Sequence, residues 1–250
     1  RWARLNAPGQ PLVAGYRAGA ARLKDFVAWC DDVGLSVVTL WVLSTDNFAR
    51  MADDEFGPLL DVIATLVDEL ATSGRWRVRT VGALDLLPQT VAERLRTACA
   101  ATEDHQGLCV NIAVSYGGRH ELRDAFRSLL AEEATKGTTL EELARTLEIE
   151  QIADHLYTAG QPDPDLIIRT SGEQRFLDVA VGALGILFLR GPLARLPAGR
   201  LPPCATVLRP AGTPLRSLRR TCLQQIIVLD ISHDADLDCP DRSYRAGHRS

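Results

Sequence analysis

Arginine, glycine and small hydroxyl residues gather in three short stretches: Ser44-Thr45-Asp46-Asn47-Phe48-Ala49-Arg50, Tyr116-Gly117-Gly118-Arg119, and Arg169-Thr170-Ser171-Gly172-Glu173-Gln174-Arg175. An arginine presents a planar fork of donors and always carries its charge, so several converging on one crevice are tolerated chiefly when a polyanion occupies it. Glycine and small hydroxyl residues let backbone N–H groups approach such a ligand. The chemistry these residue types suit is the holding of phosphate oxygens. The competing reading is structural, with Arg119 and Arg169 paired to nearby carboxylates such as Asp163 or Asp165. Other machinery is absent from the sequence. There is no Gly-x-x-x-x-Gly-Lys phosphate loop, and Gly15-Tyr16-Arg17-Ala18-Gly19-Ala20 lacks dinucleotide-site spacing. No Gly-x-Ser-x-Gly elbow marks Ser44 or Ser171 as a hydrolase nucleophile. His105, His120 and His155 have no paired acid in their local sequence and read as surface residues.

The elements that must position these stretches follow from hydrophobic patterning. Apolar, β-branched runs predict strands over Leu35–Leu43, Trp76–Val81, Leu108–Val114 and Asp165–Ile168. The central runs are nearly continuous in apolar residues, as strands covered on both faces should be. Amphipathic stretches predict helices near Ala20–Asp32, Asp53–Ala71, Val91–Ala101, Arg119–Glu133 and Thr139–Tyr157. In the second helix, Leu59, Ile63, Leu66 and Leu70 recur at helical spacing and read as a core-facing stripe. Strand and helix alternating in this order predicts a single α/β domain, mainly a parallel sheet with helices on both faces. In such sheets ligands bind beyond the carboxyl ends of the strands, which is where the three stretches fall.

Composition limits the remaining choices. The chain has 250 residues, 46% of them hydrophobic, enough for one sizeable core. A net charge of -4 gives no whole-surface footprint for nucleic acid. Cys30, Cys99, Cys109, Cys204, Cys222 and Cys239 are scattered without metal-ligand spacing, which fits a reducing cytoplasm better than a disulfide framework. No apolar run approaches the length needed to span a bilayer, although peripheral membrane association is compatible with the sequence. Character changes after Arg175. The first 175 residues carry 18 Lys and Arg against 26 Asp and Glu, whereas the last 75 carry 10 Arg against 6 Asp, contain no Glu or Lys, and hold 7 of the 13 prolines. Residues 176–250 therefore read as an atypical tail, poorly ordered or out of frame.

Taken with their order, Arg1-Trp2-Ala3, Ser44-Thr45-Asp46-Asn47, Asn111-Ile112-Ala113 with Tyr116-Gly117-Gly118-Arg119, and the run from Pro162 to Arg175 resemble the cis-prenyltransferases, the family of undecaprenyl diphosphate synthase and its shorter-product relatives. The resemblance covers roughly residues 1–175. It implies an isoprenyl transferase that condenses isopentenyl diphosphate with an allylic diphosphate to give a cis-polyprenyl diphosphate, using Mg2+, as a homodimer in the cytoplasm. By the same resemblance Arg1, Trp2, Tyr16 and Arg17 lie near the allylic diphosphate. Asn47 is similar to the residue that helps remove the proton, with Asp46 beside it where glutamate is commoner. Ser44, Thr45, Phe48 and Arg50 fall among substrate contacts, Phe48 standing where many members have Trp. Arg169 and Arg175 resemble the clamp on isopentenyl diphosphate. Product length depends in this family on an apolar tunnel between the sheet and the helix matching Asp53–Ala71. Val42 and Leu43 occupy places where long-chain members carry Ala and Phe, and the bulk of Val42 favours a short, Z-farnesyl product.

Two departures qualify the resemblance. Family members begin with a strand leading into Met-Asp-Gly-Asn, whose aspartate holds magnesium, and this sequence starts after that point. After Arg175 the family continues through a Ser-x-Phe-Leu-Leu-Trp segment to a second metal-binding glutamate, where this chain has Phe176-Leu177-Asp178-Val179. Both family metal ligands are thus missing from the sequence. Permitted codons for Leu184-Gly185-Ile186-Leu187-Phe188, read one nucleotide later, give Ser-Glu-Phe-Tyr-Phe, and Arg195–Val207 in the same frame gives a segment similar to the family's closing helix. The expectation is a transferase domain over 1–175, lacking its first strand, and a frameshifted tail over 176–250. It leaves open whether the chain as it stands is active, and a non-catalytic partner subunit is the alternative. A genomic reading frame running unshifted through Arg175 would overturn the frameshift.

Overall fold

A computed structural model describes residues 11–51, 53–169, 185–188, 206–208 and 224–229. Pro11 precedes the first helix, α1 (Leu12–Asp32), which suits a residue whose missing N–H costs nothing at a helix start. Ala20, Leu23, Phe26, Val27 and Cys30 form its buried stripe. There follow β1 (Val37–Trp41), a short α2 (Thr45–Arg50), α3 (Asp53–Thr72), β2 (Arg77–Val81), α4 (Gln89–Ala100), β3 (Cys109–Ala113), α5 (Gly118–Lys136), α6 (Leu140–Thr146), α7 (Ile149–Ala153) and β4 (Leu166–Arg169). Three strands come from beyond residue 175: β5 (Gly185–Phe188), β6 (Thr206–Leu208) and β7 (Gln225–Leu229).

These make one seven-stranded sheet in the order β2-β3-β1-β7-β4-β5-β6. Six strands are parallel, and β6 closes one edge antiparallel to β5. β1 lies between β3 and β7, with Thr39 opposite Asn111 on one side and Ile227 on the other. The α/β reading therefore holds, and the four expected strands and most helices are present with ends moved by a few residues.

One expectation needs correction. Thr139–Tyr157 is not one helix: Leu147 is extended, and Glu148 starts α7 with a capping box in which the Gln151 side chain accepts the Glu148 N–H at 2.8 Å. After β1 the Ser44 Oγ accepts the Asn47 N–H at 3.1 Å and caps α2.

The two faces of the sheet differ. Val38, Leu40, Val78, Val110, Ile112, Ile168 and Val228 turn to one side, where they pack with the buried stripes of α1, α3 and α4, including Leu23, Leu59, Ile63, Leu66, Leu70 and Leu95. Alternation puts Thr39, Trp41, Val81, Asn111, Ala113 and Ile227 on the other side, beneath α5 and the segment 153–164.

Candidate active site

The carboxyl ends of β1, β2 and β3 are fastened to one another by backbone hydrogen bonds. The N–H groups of Val42 and Leu43 donate to the Ala113 carbonyl at 3.0 and 3.2 Å, Tyr116 N–H donates to Leu43 at 3.1 Å, and Thr45 N–H donates to Tyr116 at 3.0 Å. Val114 N–H reaches Val81 and Ala83 N–H reaches Ser115, at 3.0 and 3.2 Å. Two glycines permit this closeness. A Cβ on Gly117 would stand 2.5 Å from the Thr45 Oγ1, and one on Gly82, whose φ is +122°, would stand 2.1 Å from the Val114 carbonyl oxygen. Ser115 adopts φ +51°, unusual for a residue with a side chain, and its buried hydroxyl has no partner among the described residues. The turn carrying Ser44, Thr45, Asp46 and Asn47 is thereby held against Tyr116-Gly117.

A buried carboxylate anchors that turn from below. Glu121, in the first turn of α5, is only 6% exposed. It accepts the Tyr116 hydroxyl at 2.5 Å and the Tyr157 N–H at 3.0 Å. The Tyr157 hydroxyl in turn donates to Asp124 at 2.5 Å. That bond, with Arg123 alongside, holds the Asp124 carboxyl below the ordinary carboxylate range, while burial and then the bond to Asp124 push the Tyr157 phenol up. Trp41 packs edge-on against Tyr116, with ring centroids 4.9 Å apart.

A cavity of about 470 Å³ opens on this face, lined in part by Trp41, Tyr116, Arg119, Leu122, Asp163 and Ile227. Its floor is polar: Asn111 donates to Thr39 at 3.1 Å and to the Gln161 side-chain oxygen at 2.6 Å, and Gln161 donates back at 3.1 Å. Arg119 lines the cavity without an ion pair among the described residues. Asp165, the other carboxylate weighed as a structural partner, accepts the Gln224 N–H at 2.7 Å.

The remaining sequence candidates divide by location. Tyr16 and Arg17 sit on α1, Arg17 exposed and Tyr16 partly buried against the core. Burial, then the nearby Glu55 charge, raises the Tyr16 phenol above its ordinary range. Val42 and Leu43 are 0% exposed and belong to the aliphatic face with Leu59 and Ile63, opposite the cavity. Phe48, Arg50 and Arg169 are placed as backbone in α2 and β4, but their side chains lie outside the described portion. Arg1, Trp2 and Arg175 lie outside the described residues. His155 is not free of an acid, since Glu132 approaches its Nε2 at 3.4 Å and Ser128 its Nδ1 at 2.8 Å. Sequence reasoning gave no part to Glu121, Tyr157, Thr39 or Gln161. The available signal was Asn111 and Thr39, polar residues inside otherwise aliphatic strands.

Residues 1–179 match the prenyltransferase family model of undecaprenyl diphosphate synthase. The chain is 57% identical over 175 residues to the (2Z,6E)-farnesyl diphosphate synthase of Thermobifida fusca, covering 70% of this chain and 68% of that one. It is 49% identical over 175 residues to isoprenyl transferase 1 of Streptomyces avermitilis, covering 70% and 67%. Among solved structures, lavandulyl diphosphate synthase from Lavandula x intermedia, in complex with dimethylallyl diphosphate, shares the fold with a TM-score of 0.69 at 23% identity, over 78% of this chain and 84% of that one.

Proposed function

Because the chain belongs to the undecaprenyl diphosphate synthase family of prenyltransferases, we propose that it joins isopentenyl diphosphate to an allylic diphosphate. The allylic carbon–oxygen bond breaks and diphosphate leaves with the electron pair. The isopentenyl double bond supplies the electrons of the new carbon–carbon bond, and a proton is lost to restore a double bond. The observation that carries this reading is the Ser44–Asn47 turn fastened to Tyr116-Gly117 at the carboxyl edge of the sheet. Asn47, beside Asp46 on a capped helix, is the proposed group at the departing proton. Arg119, unpaired among the described residues, is a cation available to a diphosphate near that edge. Tyr16 and Arg17, with Arg1, Trp2, Ser44, Thr45, Phe48, Arg50, Arg169 and Arg175, complete the proposed substrate contacts.

Prenyl transfer in this family generally uses Mg2+, which assists departure of the diphosphate. Among the described residues no three His, Cys, Asp or Glu side chains converge as a metal site. The described residues thus offer no three-ligand protein cage for the ion.

The product is proposed to be short, a Z-farnesyl diphosphate. The name of the Thermobifida fusca relative supports this, as does Val42, buried without exposure between β1 and α3. The enzyme is proposed to act as a homodimer. Leu122, Phe126 and Leu130 are 49, 40 and 45% exposed and recur every fourth residue along α5, an apolar stripe that a second copy would cover. The transferase domain is proposed to end near residue 175, with a shifted frame beyond, which agrees with similarity to relatives extending over about 175 residues. The test is incubation with labelled isopentenyl diphosphate and geranyl diphosphate, both for this chain and for one with the frame restored. Label in a C15 diphosphate is the expected result. Binding of both substrates without incorporation would favour a non-catalytic partner subunit.

A further inference from the structure

β2 forms one edge of the sheet and pairs only with β3 among the described strands. Alternation along it sends Val78 into the aliphatic core and Arg77 and Arg79 to the opposite face, level with Cys109 and Asn111 of β3. Arg75, just before the strand, has a counter-charge, its guanidinium meeting Asp31 at 2.8 Å. Arg77 and Arg79 make no side-chain hydrogen bond or ion pair among the described residues, although both are half-buried. The Arg77 Nε is closed off from solvent and still has no acceptor. Gln161 borders the pair, its Nε2 lying 3.7 Å from the Cys109 Sγ and donating to the Asn111 Oδ1 at 3.1 Å. Burial raises the Cys109 thiol above its ordinary range, and the charges of Arg79 and then Arg77 oppose that rise, so both guanidinium groups act on its sulfur.

We propose that Arg77 and Arg79 form a binding site for one phosphate group, free or at the end of a small phosphorylated ligand, separate from the prenyl-transfer site. Residues two apart on a strand lie about 7 Å apart and project the same way, so two long side chains can close on one tetrahedral anion. Each guanidinium fork offers donors that match phosphate oxygens, and arginine cannot shed its charge to escape burial. A charged donor withdrawn from water without an acceptor is destabilising, and an anion supplies both the acceptor and the counter-charge. The bordering side chains of Cys109, Asn111 and Gln161 carry no negative charge to serve instead. The position also differs from that of the catalytic turn. Arg77 begins β2, about 13 Å along the strand from Val81, whose carbonyl accepts the Val114 N–H at the carboxyl edge. The site uses no residue assigned to prenyl transfer and does not depend on that reading.

The test follows the Nε–Hε magnetic-resonance signals of Arg77 and Arg79 in the full chain, assigned through Arg77→Lys and Arg79→Lys, as inorganic phosphate is added at constant ionic strength. Both signals should move saturably with one shared midpoint. In Arg77→Gln the Arg79 signal should still report, with its midpoint raised at least about tenfold. Arg119→Gln, at the cavity, should leave both midpoints unaltered, and a tenfold change there would overturn a separate site. Phenyl phosphate distinguishes the two ligand sources: a lower midpoint for the ester assigns a phosphorylated metabolite, and a lower one for inorganic phosphate assigns the free anion. Signals that move no further with phosphate than with chloride would overturn the proposal and leave the two arginines as guards of an open strand edge. Movement confined to other arginines of the unsubstituted chain would overturn it equally. Failure of prenyl transfer would not change any of these readings.

Discussion

The two faces of the sheet solve different problems. On the α1, α3 and α4 side, Leu40, Val110 and Ile112 meet Leu59, Ile63 and Leu66 in an aliphatic layer that gains stability by removing apolar area from water. On the α5 side, Thr39, Asn111 and Gln161 satisfy one another, Glu121 ties Tyr116 to Tyr157, and a cavity remains. The first face supplies stability and, at Val42, the proposed limit on product length. The second supplies a fixed set of polar groups at the expense of packing, and so holds the turn bearing Asn47 in one place. The difference teaches that site geometry here depends on a polar anchor more than on the size of the core.

Substitutions that separate the two faces should do so in order of magnitude. Ile63→Ala empties part of the aliphatic face and should cost about 2–5 kcal/mol in urea unfolding while leaving KM for both substrates unchanged in the folded fraction. Glu121→Ala leaves the Tyr116 hydroxyl and the Tyr157 N–H without their acceptor and should cost about 1–3 kcal/mol. Unlike the core variant, it should also lower kcat, with Glu121→Gln recovering part of the loss because an amide oxygen still accepts. Ser44→Ala removes the cap of α2 and should cost about 1 kcal/mol, with an effect on kcat larger than its effect on stability.

The smallest effect should be that of acid. Asp124 has a carboxyl pKa lowered in the folded state, first by the Tyr157 hydroxyl and then by Arg123. A lowered carboxylate pKa contributes stability fully present above the unfolded value near ~3.9 and lost as pH falls through the folded value. Asp124→Asn should therefore lower the melting temperature slightly at pH 7 to 8, where that contribution is fully present, and flatten the fall below about pH 4, where the unsubstituted chain loses it.

How much of this was legible in the sequence follows the same division. The stripe Leu59, Ile63, Leu66 and Leu70 announced α3 because burial on one helical face imposes its own period. The strands through Val38 and Ile112 were legible for the corresponding reason. Glu121 was not, since a glutamate in the first turn of a helix looks like an ordinary solvated one until the Tyr116 hydroxyl and the Tyr157 N–H both donate to it. The break at Leu147 escaped notice because the apolar spacing of Leu143 and Ile152 runs on through it, while the capping pair Glu148 and Gln151 acts locally. β7 was hidden for a third reason. Ile226 to Leu229 is a short apolar run in a tail of unusual composition, and nothing local indicates that its partners are β1 and β4. The Ser44–Asn47 and Tyr116–Arg119 stretches were legible as chemistry, but their fastening through Gly117 and Thr45 is a three-dimensional fact.

The most direct test of the central claim, that the fastened Ser44–Asn47 turn performs prenyl transfer, is the turnover of Asn47→Ala beside its melting temperature. The account predicts a kcat for isopentenyl incorporation reduced by about a hundredfold, with KM and melting temperature unchanged. An unaltered kcat, or a loss that merely follows a fall in melting temperature, would contradict it.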